Sequence, residues 1–205
     1  MDTDFFLAWF AGMAELIRLR RDHLTELDAA IGDADHGTNL DRGFAEVRQA
    51  LAEWPPTSPE QVLLSASNTL IRRVGGASGP LYGTAFRQMG KALDAPVTPA
   101  GFAAAFEAGV RAVARLGKAA PGDKTMLDAL APASRALTQA VQEGVEVREA
   151  FERAARAAEE GALATIPLLA RKGRASYLGE RSIGHEDPGA ASSALIMAAL
   201  ASVES

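Results

Sequence analysis

Cysteine is absent from the chain, which excludes disulfides, thiolate metal ligands and a cysteine nucleophile. Histidine is nearly as scarce, with three residues and no HxxxH or HExxH spacing, so a metal must be held by oxygen or by a lone histidine. Positive charge is also short: 21 Lys and Arg stand against 26 Asp and Glu, a net charge of −5. No basic surface for nucleic acid or an anionic membrane is therefore expected. No apolar run approaches the ~18 residues of a membrane span. The N-terminal stretch MDTDFFLAWFAGMAEL carries Asp2, Asp4 and Glu15 and has no basic residue ahead of its apolar part, unlike a signal peptide. A soluble, cytoplasmic protein is expected. Its 205 residues and 48% hydrophobic content suffice for one domain, 1–205, with a sizeable core.

β-Branched residues are few, whereas alanine and leucine abound and apolar positions recur at intervals of three and four. This pattern predicts an all-α protein. A first helix over about 4–28 would bury Phe6, Trp9, Phe10, Met13, Leu16, Ile17, Leu24 and Leu27. Three later starts pair a capping residue with proline at the first helical position: Ser58-Pro59, Thr98-Pro99 and Asp187-Pro188. Ser58 with Gln61 also fits a capping box. Further helices are expected over 38–53, 80–93, 123–142 and 147–172, eight in all. Short joints favour an antiparallel up-and-down bundle or barrel.

Four polar, glycine-rich joints interrupt the helices: GDADHGTN, GGASG, PGDKT and GRASYLGERSIGHEDPG. They follow the first, third, fifth and seventh helices, and alternate joints of an up-and-down bundle lie at one end. The first joint, with the helix end before it, reads LDAAIGDADHGTNLDRGF and brings together Asp28, Asp33 and Asp35. Carboxylates so close repel one another, and a hard cation offsets that repulsion. Oxygen-only ligation points to magnesium or calcium. Phe44 stands where an EF-hand counted from Asp33 needs its final carboxylate, which argues against calcium sensing. The plainer alternative is an acidic turn whose aspartates cap a helix.

GGASG ahead of Pro80 offers backbone amides and a hydroxyl at a helix start, a setting that binds phosphate, although such joints are also ordinary loops. Gly122-Asp123-Lys124-Thr125 is not a Walker A loop, because an aspartate separates glycine from lysine. Arg174 can contact phosphate, and Asp187-Pro188-Gly189 opens the last helix. His185 is expected to bond locally and His23 to lie on a helix surface, which leaves His36 as the histidine of the site. Met126 and Leu127 read first as core, with a purine against Met126 as the sharper alternative.

With those residues assembled, LDAAIGDADHGTNLDRGF, GGASGPLYGTAF, GKAAPGDKTMLDAL and ARKGRASYLGERSIGHEDPGAAS together resemble the ADP-binding L subunits of phosphotransferase-system-dependent dihydroxyacetone kinases, over nearly the whole chain. The resemblance implies an eight-helix antiparallel barrel holding a nucleotide, ADP or ATP, and two magnesium ions at one end. It implies metal ligation by Asp28, Asp33 and Asp35, and nucleotide contacts from His36, Gly37, Thr38, Asn39, Ala77 and Ser78. Gly117 and Met126 would lie near adenine, with Arg174, Asp187, Pro188 and Gly189 completing the set. No covalent phosphoenzyme is implied. The implied partners are a phosphohistidine carrier that rephosphorylates ADP and a separate subunit that binds dihydroxyacetone. Competing readings are an L-type partner in an ATP-exchanging kinase for dihydroxyacetone or another small polyol or ketone, and a non-catalytic nucleotide sensor that touches a transcription regulator. A metal-dependent phosphatase ranks below both, since His36 is the sole candidate base for activating water.

Overall fold

The computed structural model describes residues 1–203. Its helix starts obey the capping chemistry. Ser58 Oγ accepts from Gln61 N at 3.2 Å, Thr98 Oγ1 from Gly101 N at 3.1 Å, and Asp187 Oδ2 from Ala190 N at 2.7 Å. The capping box at Ser58 is shifted by one residue, because Gln61 Oε1 accepts from Thr57 N at 3.0 Å.

The helices are α1 Thr3–Ile31, α2 His36–Glu53, α3 Pro59–Arg73, α4 Ser78–Ala92, α5 Pro99–Gly117, α6 Leu127–Glu143, α7 Val147–Leu163 and α8 Pro188–Ala201, with a 3₁₀ segment at Arg174–Ser182. The described residues contain no strand. Each helix packs on its neighbours in sequence and α8 packs back on α1, which closes an antiparallel ring. Trp9 Nε1 donates to Ile196 O at 3.0 Å across the closing pair. Close approach between α6 and α7 requires glycine: a Cβ on Gly161 would lie 2.1 Å from Asp128 O.

The first helix buries the predicted stripe, except that Leu16 and Leu27 are half-buried. Phe5, Phe6, Trp9 and Phe10 meet Phe86, Phe102 and Phe151 inside the ring, with Phe5 and Phe151 at a centroid separation of 5.8 Å, Phe10 and Phe86 at 4.9 Å and Phe102 and Phe151 at 5.4 Å. These rings come from the N-terminal parts of α1, α5 and α7 and the C-terminal part of α4. They fill the end of the barrel away from the four polar joints. No helix among the described residues is long and apolar enough to cross a membrane.

Two helix spans differ from the sequence expectation. The seventh ends at Leu163 instead of 172, because Pro167 lacks an N–H and forces the residue before it out of the helical region. The sixth starts at Leu127 instead of 123: Gly122 and Lys124 have φ of +94° and +62°, outside a right-handed helix. Smaller shifts bring Asp28 into the last turn of α1 and place Ser78 and His36 at the starts of α4 and α2.

Candidate functional site

At the end of α1 the chain turns back over its own last carboxylate. Asp28 is buried, and its Oδ2 accepts from Asp35 N at 2.9 Å and His36 N at 3.1 Å. The turn needs Gly32, since a Cβ there would lie 2.0 Å from Asp28 Oδ1. Ala34, in the left-handed region at φ +62°, directs Asp33 and Asp35 to the same side as Asp28. Each of the three aspartates can offer an oxygen within 4.8 Å of the others. Arg174 Nη2 reaches Asp33 Oδ2 at 3.0 Å. Three gathered carboxylates against a single exposed guanidinium form a donor set for a hard divalent cation.

The acidic turn borders a cavity of about 320 Å³ enclosed by the four joints. Of the residues singled out from sequence, Asp28, Asp33, Asp35, His36, Ala77, Ser78, Gly117, Met126, Arg174, Asp187, Pro188 and Gly189 all line it. Gly37, Thr38 and Asn39 do not. Gly37 packs where a Cβ would lie 2.0 Å from Arg21 O, and Thr38 Oγ1 donates to Asp35 O at 2.9 Å. Asn39 Oδ1 accepts from Arg42 at 2.9 Å, and its side chain lies against Gly75. His23 and His185 are both exposed. A larger depression of about 980 Å³ opens at the opposite end, among Met1, Phe5, Pro96 and Val147. It has no comparable gathering of carboxylates, so donor chemistry, not size, identifies the site.

Sequence reasoning missed the polar groups behind the cavity wall. Asp128 is buried and holds the PGDKT joint by accepting from Gly122 N at 2.5 Å and Thr125 N at 2.7 Å. Tyr82 Oη lies 2.7 Å from Ser192 Oγ and 2.9 Å from Ser193 Oγ, and Ser192 Oγ lies 2.9 Å from His36 Nε2. This chain connects the acidic turn through α8 to α4. Its signal was two serines inside the otherwise apolar run GAASSALIMAAL, a helix with no polar face to place them on.

Burial sets the protonation of these groups. It raises the Asp187 carboxyl to about 7, assisted by Asp128 and opposed by the Ala190 N–H and by Lys124. It lowers Lys124, with Asp187 acting the other way. It lowers His36 against the raising pull of Asp28 and Asp35, and raises Tyr82 to about 12.

The model of the DAK2 domain family matches residues 30–202, and the chain belongs to that family. It is 43% identical over 204 residues to the ADP-binding subunit DhaL of PEP-dependent dihydroxyacetone kinase 1 of Listeria innocua, covering 99% of this chain and 98% of the relative. The corresponding Escherichia coli subunit is 43% identical over 195 residues, 94% of this chain and 93% of that one. Human triokinase/FMN cyclase is 38% identical over 183 residues, 89% of this chain and 32% of the enzyme. Among solved structures, the dihydroxyacetone kinase of C. freundii in complex with AMP-PNP and Mg2+ superimposes with a TM-score of 0.72 at 25% identity, over 98% of this chain. The chain spans 33% of that larger kinase.

Proposed function

We propose that this chain is the nucleotide-binding subunit of a dihydroxyacetone kinase, a phosphotransferase that works with partner subunits. The observation that carries the reading is the convergence of Asp28, Asp33 and Asp35 with the start of α4 and Arg174 on one cavity. The near full-length likeness to ADP-binding subunits adds to it.

In this reading residues 1–205 form one cytoplasmic domain. The three aspartates hold magnesium, two ions in all. The donor set fits: every ligand is a carboxylate, and Gly32 keeps the space beside Asp28 Oδ1 open. Bound magnesium supplies charge neutralisation on nucleotide phosphates and helps align the transferring group. The backbone at Ala77 and Ser78 presents N–H groups to phosphate oxygens at a helix start. Arg174 is 68% exposed on its side chain, so its pair with Asp33 is weakly held and the guanidinium can turn to phosphate at little cost. Met126 and Gly117 form the apolar wall against which the base lies. Gly37, Thr38 and Asn39 act by shaping the acidic turn. The site would hold ADP; a phosphohistidine carrier would supply the phosphoryl group that converts it to ATP, and dihydroxyacetone on a separate subunit would accept that group and leave ADP behind. A transcription regulator is a further partner in this reading.

The test is to purify the chain without added nucleotide, denature it, and identify the released nucleotide and metal by chromatography and elemental analysis. Near-stoichiometric ADP with magnesium is expected. A protein that comes out empty but binds added ATP would move the phosphoryl donor from the carrier to exchanging ATP. Failure to bind either nucleotide would refute the kinase reading.

A further inference from the structure

Lys124 is the only buried lysine or arginine among the described residues, at 1% exposure. It occupies the left-handed region at φ +62°, a conformation that a non-glycine residue keeps only where other contacts impose it. Its ammonium does not point to a phosphate site in the manner of a Walker lysine. Nζ is surrounded by five backbone carbonyls: Thr165 at 3.0 Å, Ile166 at 3.5 Å, Leu168 at 3.2 Å, Ser182 at 2.7 Å and His185 at 2.5 Å. Three N–H groups are thus shared among more acceptors than they can satisfy singly.

The five carbonyls fall into two sets in the chain. Thr165, Ile166 and Leu168 directly follow α7, whereas Ser182 and His185 directly precede α8. The excursion between them, residues 169–181, carries Arg174 and forms one side of the cavity. Other bonds across its base use single donors: Gly184 N to Ile166 O at 2.8 Å, Ala170 N to Ser182 Oγ at 3.0 Å and Asp187 N to Thr165 Oγ1 at 2.9 Å. Among the described residues, Lys124 is the one charged side chain bonded to both feet.

We propose that Lys124 is a positioning residue whose ammonium serves as an internal cation, drawing the carbonyls on both feet of the 164–187 segment together and so holding Arg174, Asp187, Pro188 and Gly189 around the nucleotide cavity. A ring of backbone carbonyls around a monovalent charge is the arrangement that accepts a dehydrated small cation in selective pores. The cage is therefore specific for a small cation, beyond filling space. Replacing Lys124 by glycine relieves the left-handed strain and leaves a carbonyl-lined hole of the right chemistry for methylammonium. Replacing it by methionine fills much of the hole with a side chain that has no N–H.

The inference extends the nucleotide reading, but its first measurement stands without it. Hydrogen exchange is followed by mass spectrometry in the unaltered chain, Lys124→Gly and Lys124→Met, together with the dissociation rate of Mg-ADP. In Lys124→Gly, amides in 164–187 should exchange ~10-fold faster or more while α1 to α5 keep their protection, and Mg-ADP should leave faster by a similar factor. Methylammonium chloride should restore both, and tetramethylammonium chloride at equal ionic strength should restore neither. Lys124→Met should show the loosened segment without rescue. Should Lys124→Gly fail to fold alone, recovery of helical circular dichroism with methylammonium is read instead. Parent-like exchange in either folded variant, absence of rescue by methylammonium, or equal rescue by both salts would overturn the proposal. An unaltered chain that binds no nucleotide would refute the kinase reading and leave the exchange result to decide the role of Lys124.

Discussion

Gly32→Ala isolates the geometry of the acidic turn from its charge. Gly32 has φ −140° and ψ −133°, so its φ lies outside the left-handed region and the substitution introduces no left-handed strain. The added Cβ would lie 2.0 Å from Asp28 Oδ1 and 2.9 Å from Asp28 Cγ. Non-bonded heavy atoms settle near 3.5 Å or beyond, so the carboxylate must move by about 1 Å or more. That movement withdraws Asp28 Oδ2 from Asp35 N at 2.9 Å and His36 N at 3.1 Å. A hydrogen bond to a charged acceptor contributes about 1.5–3 kcal/mol. Loss of one of the two, with displacement of a ligand oxygen, weakens metal-dependent nucleotide binding by roughly 10- to 100-fold at 1.4 kcal/mol per decade. Stability falls as well, through the same lost hydrogen bond to Asp28. Calorimetric titration of nucleotide-stripped protein with ADP in magnesium, beside a thermal melt, separates the two effects. A folded Gly32→Ala chain with parental affinity in magnesium would refute the assignment of Asp28 as a ligand held in place by this turn.

Three further outcomes are expected. Arg174→Ala should leave thermal stability within ~1 kcal/mol, since its pair with Asp33 is solvent-exposed, yet slow phosphoryl transfer with the partner subunits; an unaltered transfer rate would remove Arg174 from the site. The buried Asp187 carboxyl, raised from 3.8 to about 7, keeps its proton in the folded chain after the unfolded chain has lost it, so its contribution to stability declines as pH rises through that window by up to ~1.4 kcal/mol per unit. Asp187→Asn retains a capping oxygen without the titration and should flatten the pH dependence of urea unfolding between about pH 4 and pH 7; curves parallel to those of the unaltered chain would contradict this. Gly161→Ala places a Cβ 2.1 Å from Asp128 O at the α6–α7 crossing and should cost ~1–3 kcal/mol of unfolding free energy, and an unchanged urea midpoint would show that the helices can separate freely there.

The helices and the end of the barrel that bears the site were legible because both follow from local rules. Ser58, Thr98 and Asp187 each cap the helix that their proline begins, and the placement of polar joints after odd-numbered helices needs only antiparallel neighbours. The gathering of Asp28, Asp33 and Asp35 was legible because the three lie within a few residues of one another across one glycine-bounded turn. The end of α7 differs from the expected 172 because the apolar pattern of ATIPLLA continues past Pro167, which stops the helix locally. Lys124, Asp128 and Tyr82 were illegible for a different reason. Their partners are carbonyls, amides and hydroxyls 41 to 61 positions away for Lys124 and 110 away for Tyr82 with Ser192, and no periodicity encodes such contacts. Asp128 bonds within six residues, but it reads in sequence as one more polar position on a helix.

An up-and-down ring alternates helix starts and helix ends around each mouth, so one rim offers both signs of partial charge, as a metal-bound polyphosphate requires. Which start receives the phosphate follows from which amides already have partners. At α2, His36 N donates to Asp28; at α6, Leu127 N donates to Thr125 Oγ1 at 3.2 Å; at α8, Ala190 N donates to Asp187. At α4 the N-cap is Ala77, which has no side chain that could accept, and no side-chain capping bond is made. The chain directly before it, Gly75 and Gly76, lines the same cavity. In the nucleotide reading, phosphate therefore belongs at the start of α4, with the cation between it and the acidic end of α1. An aspartate at position 77 would place a like charge where the phosphate must lie, and because Ala77 has right-handed helical dihedrals, φ −81° and ψ −23°, it would not make the side-chain cap that an extended residue makes. Ala77→Asp should accordingly weaken nucleotide binding while changing the thermal midpoint little, a contrast that calorimetry and thermal melts would read in the same samples. Nucleotide affinity that survived the added charge would place the phosphate elsewhere on the rim.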